Sequence, residues 1–226
     1  MTTTLEGRGK RKVRGLMLAA AAAVAFGAGG AHAGEGPAVG VGGSTLGLGA
    51  WLGFAVGEQV GLRVAANGFD YDYDGTEAGI PYSLTLKLRS AGAFLDWHPG
   101  GGGFRVTVGI LGNGNEVTAK AEALTSYVIG GTTYTAADVG TLTAQVDFRR
   151  AAPYLGIGWG GAVGGDGLGL YADLGVMFQG TPRARISVTG SGVSAADLAQ
   201  EQAEFQAAID DYEYHLVLGL GVFHRF

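Results

Sequence analysis

The amino-acid sequence predicts an all-β protein, an eight-stranded antiparallel transmembrane β-barrel with a short helix in its last extracellular loop. Apolar residues alternate with polar or small residues at a period of two through most of the chain. Short connections (57–59, 99–103, 160–167) alternate with long polar ones (74–81, 121–141, 190–211). Large aromatic residues lie at both ends of the apolar faces, which a soluble β-sandwich would not require.

The N-terminus has the pattern of a secretory signal peptide. A basic segment ending at Arg14 precedes an Ala-rich apolar run from Leu16 to about Gly27, and Ala31-His32-Ala33 is a small-residue cleavage site. We therefore expect residues 1–33 to be removed and residues 34–226 to form one barrel domain. The apolar run is short of the ~20 residues that a membrane-spanning helix needs.

Composition excludes several classes of function. Without residues 1–33 the chain has 10 basic and 19 acidic residues, a net charge of −9, which argues against binding to nucleic acid. It has no cysteine, so neither a disulfide framework nor a thiolate site can form. The 44 glycines alternate with apolar residues, which favours strands over disorder.

The first half of the mature chain predicts five strands. Residues 37–43 form a short first strand, 46–56 a second with its even positions facing lipid, and Leu62 begins a third that ends in a polar loop near 69–75. In the fourth, Leu84, Leu86 and Leu88 face lipid, and a β-bulge after Ser90 would then transfer the lipid face to Ala91, Ala93, Leu95 and Trp97. The fifth has Phe104, Val106, Val108 and Ile110 outward.

The second half predicts three more strands and one helix. Ala144, Val146 and Phe148 face lipid in the sixth strand, with a second phase shift at Arg149-Arg150 before Leu155, Ile157 and Trp159. The seventh strand runs from Leu168 and continues past Pro182, and the eighth ends at Phe226. Ser194-Ala-Ala-Asp197 resembles a capping box that opens a helix to about Asp211.

Several segments resemble those of small Gram-negative outer-membrane barrels, as in outer-membrane protein W and the transmembrane part of outer-membrane protein A. These are the signal peptide, the alternating strands, the segments 152–159 and 173–180, and the His224-Arg-Phe226 ending. The resemblance implies an outer-membrane location with both termini periplasmic, contact with outer-membrane lipid and lipopolysaccharide, and a C-terminal Phe226 that the barrel-assembly machinery reads. It does not fix the function, because such barrels serve as anchors, adhesins, channels and enzymes.

Charged residues at inward positions form the main candidate site. In an eight-stranded barrel they would either close the lumen as a salt-bridge network or line a narrow passage, since many inward glycines leave room. The glycines could equally accommodate Trp51, Tyr171 and the arginines. The predicted lumen charge network is Arg63, Lys87, Arg89, Asp96, Arg105, Asp147, Asp173 and Glu213.

Two further patterns suggest chemistry. Asp70, Asp72 and Asp74 followed by Gly75 have the spacing of half a calcium loop, although Pro81 replaces the closing Glu, so the sequence favours a solvated acidic loop, with a calcium site as the alternative. His215 beside Glu213 is the one pair that could serve a lipid-A hydrolase, with Ser187, Ser191 or Ser194 as nucleophile.

We expect neither catalysis nor a cofactor. The sequence favours a structural or passive small-solute transport role, with apolar solutes as one possibility, and leaves a lipid-A-modifying enzyme or an adhesin acting through its loops as alternatives.

Overall fold

The computed structural model describes residues 10–14, 36–77, 80–122, 126–163 and 166–226 of the 226-residue chain. The predicted cleavage site lies outside these residues. The strands are β1 (Lys10–Arg14), β2 (Ala38–Ser44), β3 (Gly47–Gly57), β4 (Val60–Glu77), β5 (Ile80–Trp97), β6 (Phe104–Asn113), β7 (Glu116–Glu122), β8 (Tyr127–Ile129), β9 (Thr132–Tyr134), β10 (Thr141–Asp147), β11 (Ala151–Trp159), β12 (Gly167–Phe178), β13 (Arg183–Val188) and β14 (Tyr214–Arg225), and the helices are α1 (Ala136–Val139) and α2 (Ala195–Ile209).

Eight antiparallel strands close into a ring, which confirms the predicted fold class. Their order is β4, β3, β2, β14, β12, β11, β6 and β5, and β5 pairs with β4 to complete the circle. Closure gives every barrel strand a hydrogen-bonding neighbour on both sides, as a bilayer requires. The ring includes the short β2, which pairs with β14 on one side and with β3 on the other, as the predicted short first strand requires.

The outward face of the ring is the apolar face that the alternation predicts. Leu95, Ile110, Leu155 and Leu218 are all exposed on it, although each is a residue that a soluble protein would bury. Trp97 and Trp159 lie exposed near one rim, and Phe178 and Tyr214 near the other. Among the described residues no helix is both long and apolar enough to cross a membrane.

The wall has a short seam where its first and last strands meet. The strand β14 pairs with β12 over Tyr214–Arg225 but with β2 only over Gly219–Arg225. Beyond the end of β2, Thr45 takes the place of a strand: its backbone N–H donates to Leu218 O (3.0 Å) and its hydroxyl donates to Leu216 O (2.7 Å). One residue thus satisfies two carbonyls that the missing strand would have bonded.

On the opposite side the wall continues beyond the ring as a sheet extension, formed by the outer parts of β4 and β5 together with β7, β10 and β13. The strand β7 pairs with β5 above the point where β6 ends, and β10 and β13 follow β7. The segment β1, which lies within the predicted signal peptide, pairs with Asp70–Asp74 at the free edge of β4.

The two predicted phase shifts do not occur where the sequence placed them. The register of β4 with β5 runs without interruption from Val60↔Trp97 to Glu77↔Ile80, so no bulge follows Ser90. Leu84, Leu86 and Leu88 therefore share the face of inward Phe94, and Thr85, Lys87 and Arg89 share the face of outward Leu95. The outward face of β5 is therefore apolar along the ring and polar in the sheet extension.

The strand β10 shows the same reversal. Its register with β7 (Asp147↔Glu116) continues into that of β11 with β6 (Ala151↔Gly112) with no net shift. Ala144 and Val146 consequently lie on the inward face and not on the lipid face. A phase change does occur in the next strand, at the break between β12 and β13, where Gly180 has φ +68°.

The helix α2 begins and ends close to the predicted limits. The side chain of Ser194 accepts a hydrogen bond from Asp197 N (3.1 Å), which caps the first turn. The helix packs on β13, where the side-chain oxygen of Gln206 accepts from Ala184 N (2.8 Å) and its amide donates to Pro182 O (2.9 Å). Gln206 thus forms hydrogen bonds with backbone groups at the open edge of the sheet extension. The hairpin β8–β9 and the short α1 fill the predicted 121–141 loop.

Candidate functional site: a filled lumen

Four inward charges from four strands converge in the middle of the barrel. They are Arg63 of β4, Asp96 of β5, Arg105 of β6 and Asp173 of β12. Arg105 and Asp173 lie on opposite sides of Gly158 in β11. A Cβ at Gly158 would stand 2.9 Å from Arg105 Cζ, so this glycine lets the arginine side chain reach across β11.

The four side chains form a continuous ionic cluster. Arg63 Nε donates to Asp96 Oδ2 (2.8 Å), and Arg105 donates to Asp173 Oδ1 (2.7 Å). Longer contacts join Arg105 Nε to Asp96 Oδ1 (3.6 Å) and Arg63 to Asp173 Oδ1 (3.8 Å), and the hydroxyl of Thr107 donates to Asp96 Oδ1 (2.6 Å). Two cations and two anions balance, so the cluster carries no net charge.

The cluster is almost completely removed from solvent. Arg105 is 0% and Asp96 1% exposed, and Asp173 11%. Buried charges are tolerated only when paired, and loss of one partner leaves the other uncompensated at a cost of ~3–5 kcal/mol. The cluster therefore occupies the middle of the lumen as a set of buried, mutually paired charges.

Aromatic rings fill the lumen on both sides of the cluster. On the side of the cluster nearer the chain termini, Trp51 contacts Tyr171 (ring centroids 5.7 Å apart) and Phe223 (5.9 Å). On the other side Phe94 meets Tyr154 edge to face at 5.4 Å, and the Arg63 guanidinium lies 4.8 Å from the Phe94 ring.

The inward glycines make room for these rings and guanidinium groups. A Cβ at Gly169 would stand 2.6 Å from Phe223 Cζ, and one at Gly109 would stand 2.7 Å from Ala93 O and beside the ring of Phe94. These contacts fit a lumen filled by side chains and do not fit the alternative of a passage lined by glycine. The cavity that remains in the lumen near Trp51 and Arg63 has a volume of only about 50 Å³.

A connecting turn closes the end of the lumen near the chain termini. Residues Gly161, Ala162 and Val163 are buried, and Ala162 packs with Trp51, Tyr171 and Phe223. Arg225 of β14 holds the turn by donating to Gly161 O and to Val163 O (2.8 Å). Sequence reasoning treated this glycine-rich stretch as an ordinary turn. The inward Arg225 beside it was the available signal, because a buried arginine needs acceptors.

The other predicted network residues lie elsewhere. Lys87, Arg89 and Asp147 occupy the outward face of the sheet extension and pair with different partners from the lumen cluster. Lys87 contacts Glu116 (3.0 Å), Arg89 contacts Asp70 (2.8 Å) and Asp147 contacts Arg185 (3.1 Å), all in partly exposed positions. Glu213 accepts from the hydroxyl of Thr181 (2.7 Å) outside the cluster. The structure thus brings together four of the eight predicted residues.

The calcium pattern is not assembled. Asp70, Asp72 and Asp74 lie in β4, not in a loop, and follow one another along the same face of the strand. Asp70 pairs with Arg89, and Asp72 accepts from the hydroxyl of Thr85 (2.9 Å). In the described part of the chain, no three His, Cys, Asp or Glu side chains group so as to hold a metal ion.

His215 has no catalytic partners among the described residues. It faces inward on β14 and is partly buried, and its Nε2 makes no hydrogen bond with a described residue. Glu213 is engaged by Thr181, and Ser194 caps α2. No charge-relay arrangement of serine, histidine and acid is formed at this position.

Two carboxylates outside the barrel are stabilised in their charged form. The hydroxyl groups of Tyr134 and Ser194 lower the pKa of Asp197, and the side chain and backbone of Thr135 lower the pKa of Asp138. Asp197 lies in the first turn of α2 and Tyr134 ends β9, so their hydrogen bond joins the helix to the hairpin. These contacts are structural and bring no reactive group together.

Comparison with known proteins supports the fold. No protein-family model and no curated protein matches the chain. Solved structures do match, among them two crystal structures: CarO of Acinetobacter baumannii is 19% identical with a TM-score of 0.55, over 84% of this chain and 97% of CarO. CarO2 of Acinetobacter baumannii is 18% identical with a TM-score of 0.57, over 85% of this chain and 100% of CarO2. Both are small eight-stranded outer-membrane β-barrels, and at this identity the likeness establishes the shared fold.

Proposed function

We propose that this chain is an integral outer-membrane β-barrel with a structural role in the envelope, that its lumen is closed to ions and solutes, and that it is not an enzyme. The observation that carries the proposal is the buried cluster of Arg63, Asp96, Arg105 and Asp173 across the lumen. An open pore would keep such charges hydrated, whereas here they bond one another.

An outer-membrane location accounts for the outward apolar face. Rows of leucine, valine and isoleucine are exposed around the ring and give way to charged residues where the sheet extension begins. We place both termini on the periplasmic side, since the short turns lie there and the long connections at the other end. Exposed Phe226, at the end of β14, would then be available to the barrel-assembly machinery. The fold shared with CarO and CarO2 agrees with this location.

Passive transport through the lumen fits the structure less well. A solute would have to displace the ionic cluster, the ring contacts of Trp51 and the turn held by Arg225. All three obstacles are buried and mutually packed. We therefore favour a structural role over a channel.

Planar-bilayer conductance of the mature chain tests this proposal. The wild-type protein, shown to be folded by its gel shift on heating, should give no discrete conductance steps. A variant in which Trp51, Arg225 and all four cluster residues are changed to Ala removes the three obstacles and, once the same gel shift shows that it is folded, should conduct. Reproducible steps from the folded wild-type protein would contradict the proposal.

A second candidate is surface binding through the sheet extension. The observation that favours it is that β7, β10, β13, β8–β9 and α2 rise beyond the ring and are not needed to close it. Replacing residues 121–141 by a short turn should leave the gel shift intact and reduce attachment of cells to a surface. Unchanged attachment would count against this candidate.

A further inference from the structure

A groove crosses the outward wall of the barrel just below the sheet extension. Its floor is a row of small side chains on four neighbouring strands, where Ala50 pairs with Ala66, Ala66 with Ala91, and Ala91 with Gly112. Val41 and Leu48, both about half exposed, flank it at one end. The groove has a volume of about 880 Å³, within the ~300–1,000 Å³ typical of ligand sites.

The groove changes character at its upper edge. Arg89, Arg150 and Asp70 line it there, at the level where the apolar face ends and the charged face of the extension begins. Asp70 holds the Arg89 guanidinium at 2.8 Å, whereas Arg150 is exposed and forms no salt bridge with a described residue. Two guanidinium groups above an apolar trough are complementary to an anionic headgroup above a hydrocarbon chain.

We propose that the groove binds lipid A, with an acyl chain on the Ala50–Gly112 floor and a phosphate at Arg89 and Arg150. This inference rests on the proposed outer-membrane location, because the groove then lies in the outer leaflet, where a phosphorylated glycolipid is the available anionic lipid. The planar forks of arginine suit phosphate oxygens. Because the side chains on the groove floor are small, the groove is deep, and its surface remains apolar.

Native mass spectrometry of the protein isolated in a neutral detergent tests the proposal, with purified bis-phosphorylated lipid A as the probe. Ala91→Phe fills the groove and should reduce lipid A binding at least tenfold. Ala172→Phe, an outward alanine on the far wall in β12, is the matched control and should bind as the wild type does. Gly112→Leu provides a second filled groove, since a Cβ there meets only ordinary contacts at 3.5 Å and beyond.

The headgroup is tested separately. Arg150→Gln should weaken lipid A binding severalfold and leave binding of dephosphorylated lipid A unchanged. Equal binding of lipid A by Ala91→Phe and Ala172→Phe would contradict the groove as the binding site. Equal binding of phosphatidylglycerol and lipid A by the wild type would contradict the choice of lipid A as the ligand. Conductance by the wild type would refute the closed lumen without changing these results, so the two proposals fail separately.

Discussion

Replacing Asp96 by Asn should destabilise the barrel far more than the same substitution at Asp147. Both aspartates pair with an arginine, but Asp96 is 1% exposed between Arg63 and Arg105, whereas Asp147 is 26% exposed opposite Arg185. Asp96→Asn leaves two buried guanidinium groups with Asp173 as their remaining anion. Loss of one partner of a buried pair costs ~3–5 kcal/mol, and loss of an exposed pair ~0–1 kcal/mol.

The assay is reversible urea unfolding of each variant in lipid vesicles, followed by tryptophan fluorescence. The expected result is a lower midpoint for Asp96→Asn at an unchanged slope, and a midpoint for Asp147→Asn close to the wild type. Adding Arg63→Met to Asp96→Asn should recover part of the loss, because the cluster regains charge balance. Equal midpoints for the two single variants would refute the argument that burial makes the lumen cluster costlier to break than an exposed ion pair.

Three other substitutions test separate contacts. Gly109→Ala should lower stability by about 1–3 kcal/mol, since its Cβ would meet the Phe94 ring and Ala93 O, whereas Gly112→Ala should be near neutral; urea midpoints distinguish them. Hydrogen bonds to the Asp197 carboxylate lower its pKa and stabilise the start of α2 above the ordinary carboxyl pKa, and this stability is lost as pH falls through the folded pKa. Protection factors in α2, corrected for the intrinsic exchange rate at each pH, should therefore fall in acid, and Tyr134→Phe should shift that loss to higher pH. Gln206→Ala should leave the edge of β13 unbonded and increase proteolysis of residues 190–211 while the barrel core resists.

The alternation of residues was enough to predict the ring and its apolar outward face, but not which side the apolar row faces in the sheet extension. In β4 and β5 the period of two is unbroken, and the polar row simply replaces the apolar row on the outward side. Assuming that leucines always face lipid required bulges at Ser90 and Arg149 that the chain does not have. The solvent outside the wall, which a single sequence does not state, decides the orientation.

The assumption that leucines always face lipid also explains why only part of the predicted charge network was placed correctly. Arg63, Asp96, Arg105 and Asp173 lie in segments whose lipid face was unambiguous, and they meet in the lumen. Lys87, Arg89 and Asp147 lie in segments that were assigned the wrong phase, so they were placed on the inner face in error. The inward Arg225 indicates that acceptors lie nearby, but the sequence does not identify them, because they are the backbone carbonyls of Gly161 and Val163.

The short seam between β14 and β2 gives the wall a preferred line of rupture. Force applied to the C-terminus would pull β14 away from both neighbours. The backbone hydrogen bonds to β2 extend only over Gly219–Arg225, whereas those to β12 extend over Tyr214–Arg225. Beyond the ladder with β2, two hydrogen bonds from Thr45 hold β14 on that side. In single-molecule pulling, the interface between β14 and β2 should therefore separate before the interface between β14 and β12. Thr45→Val should lower the rupture force without changing which interface separates first.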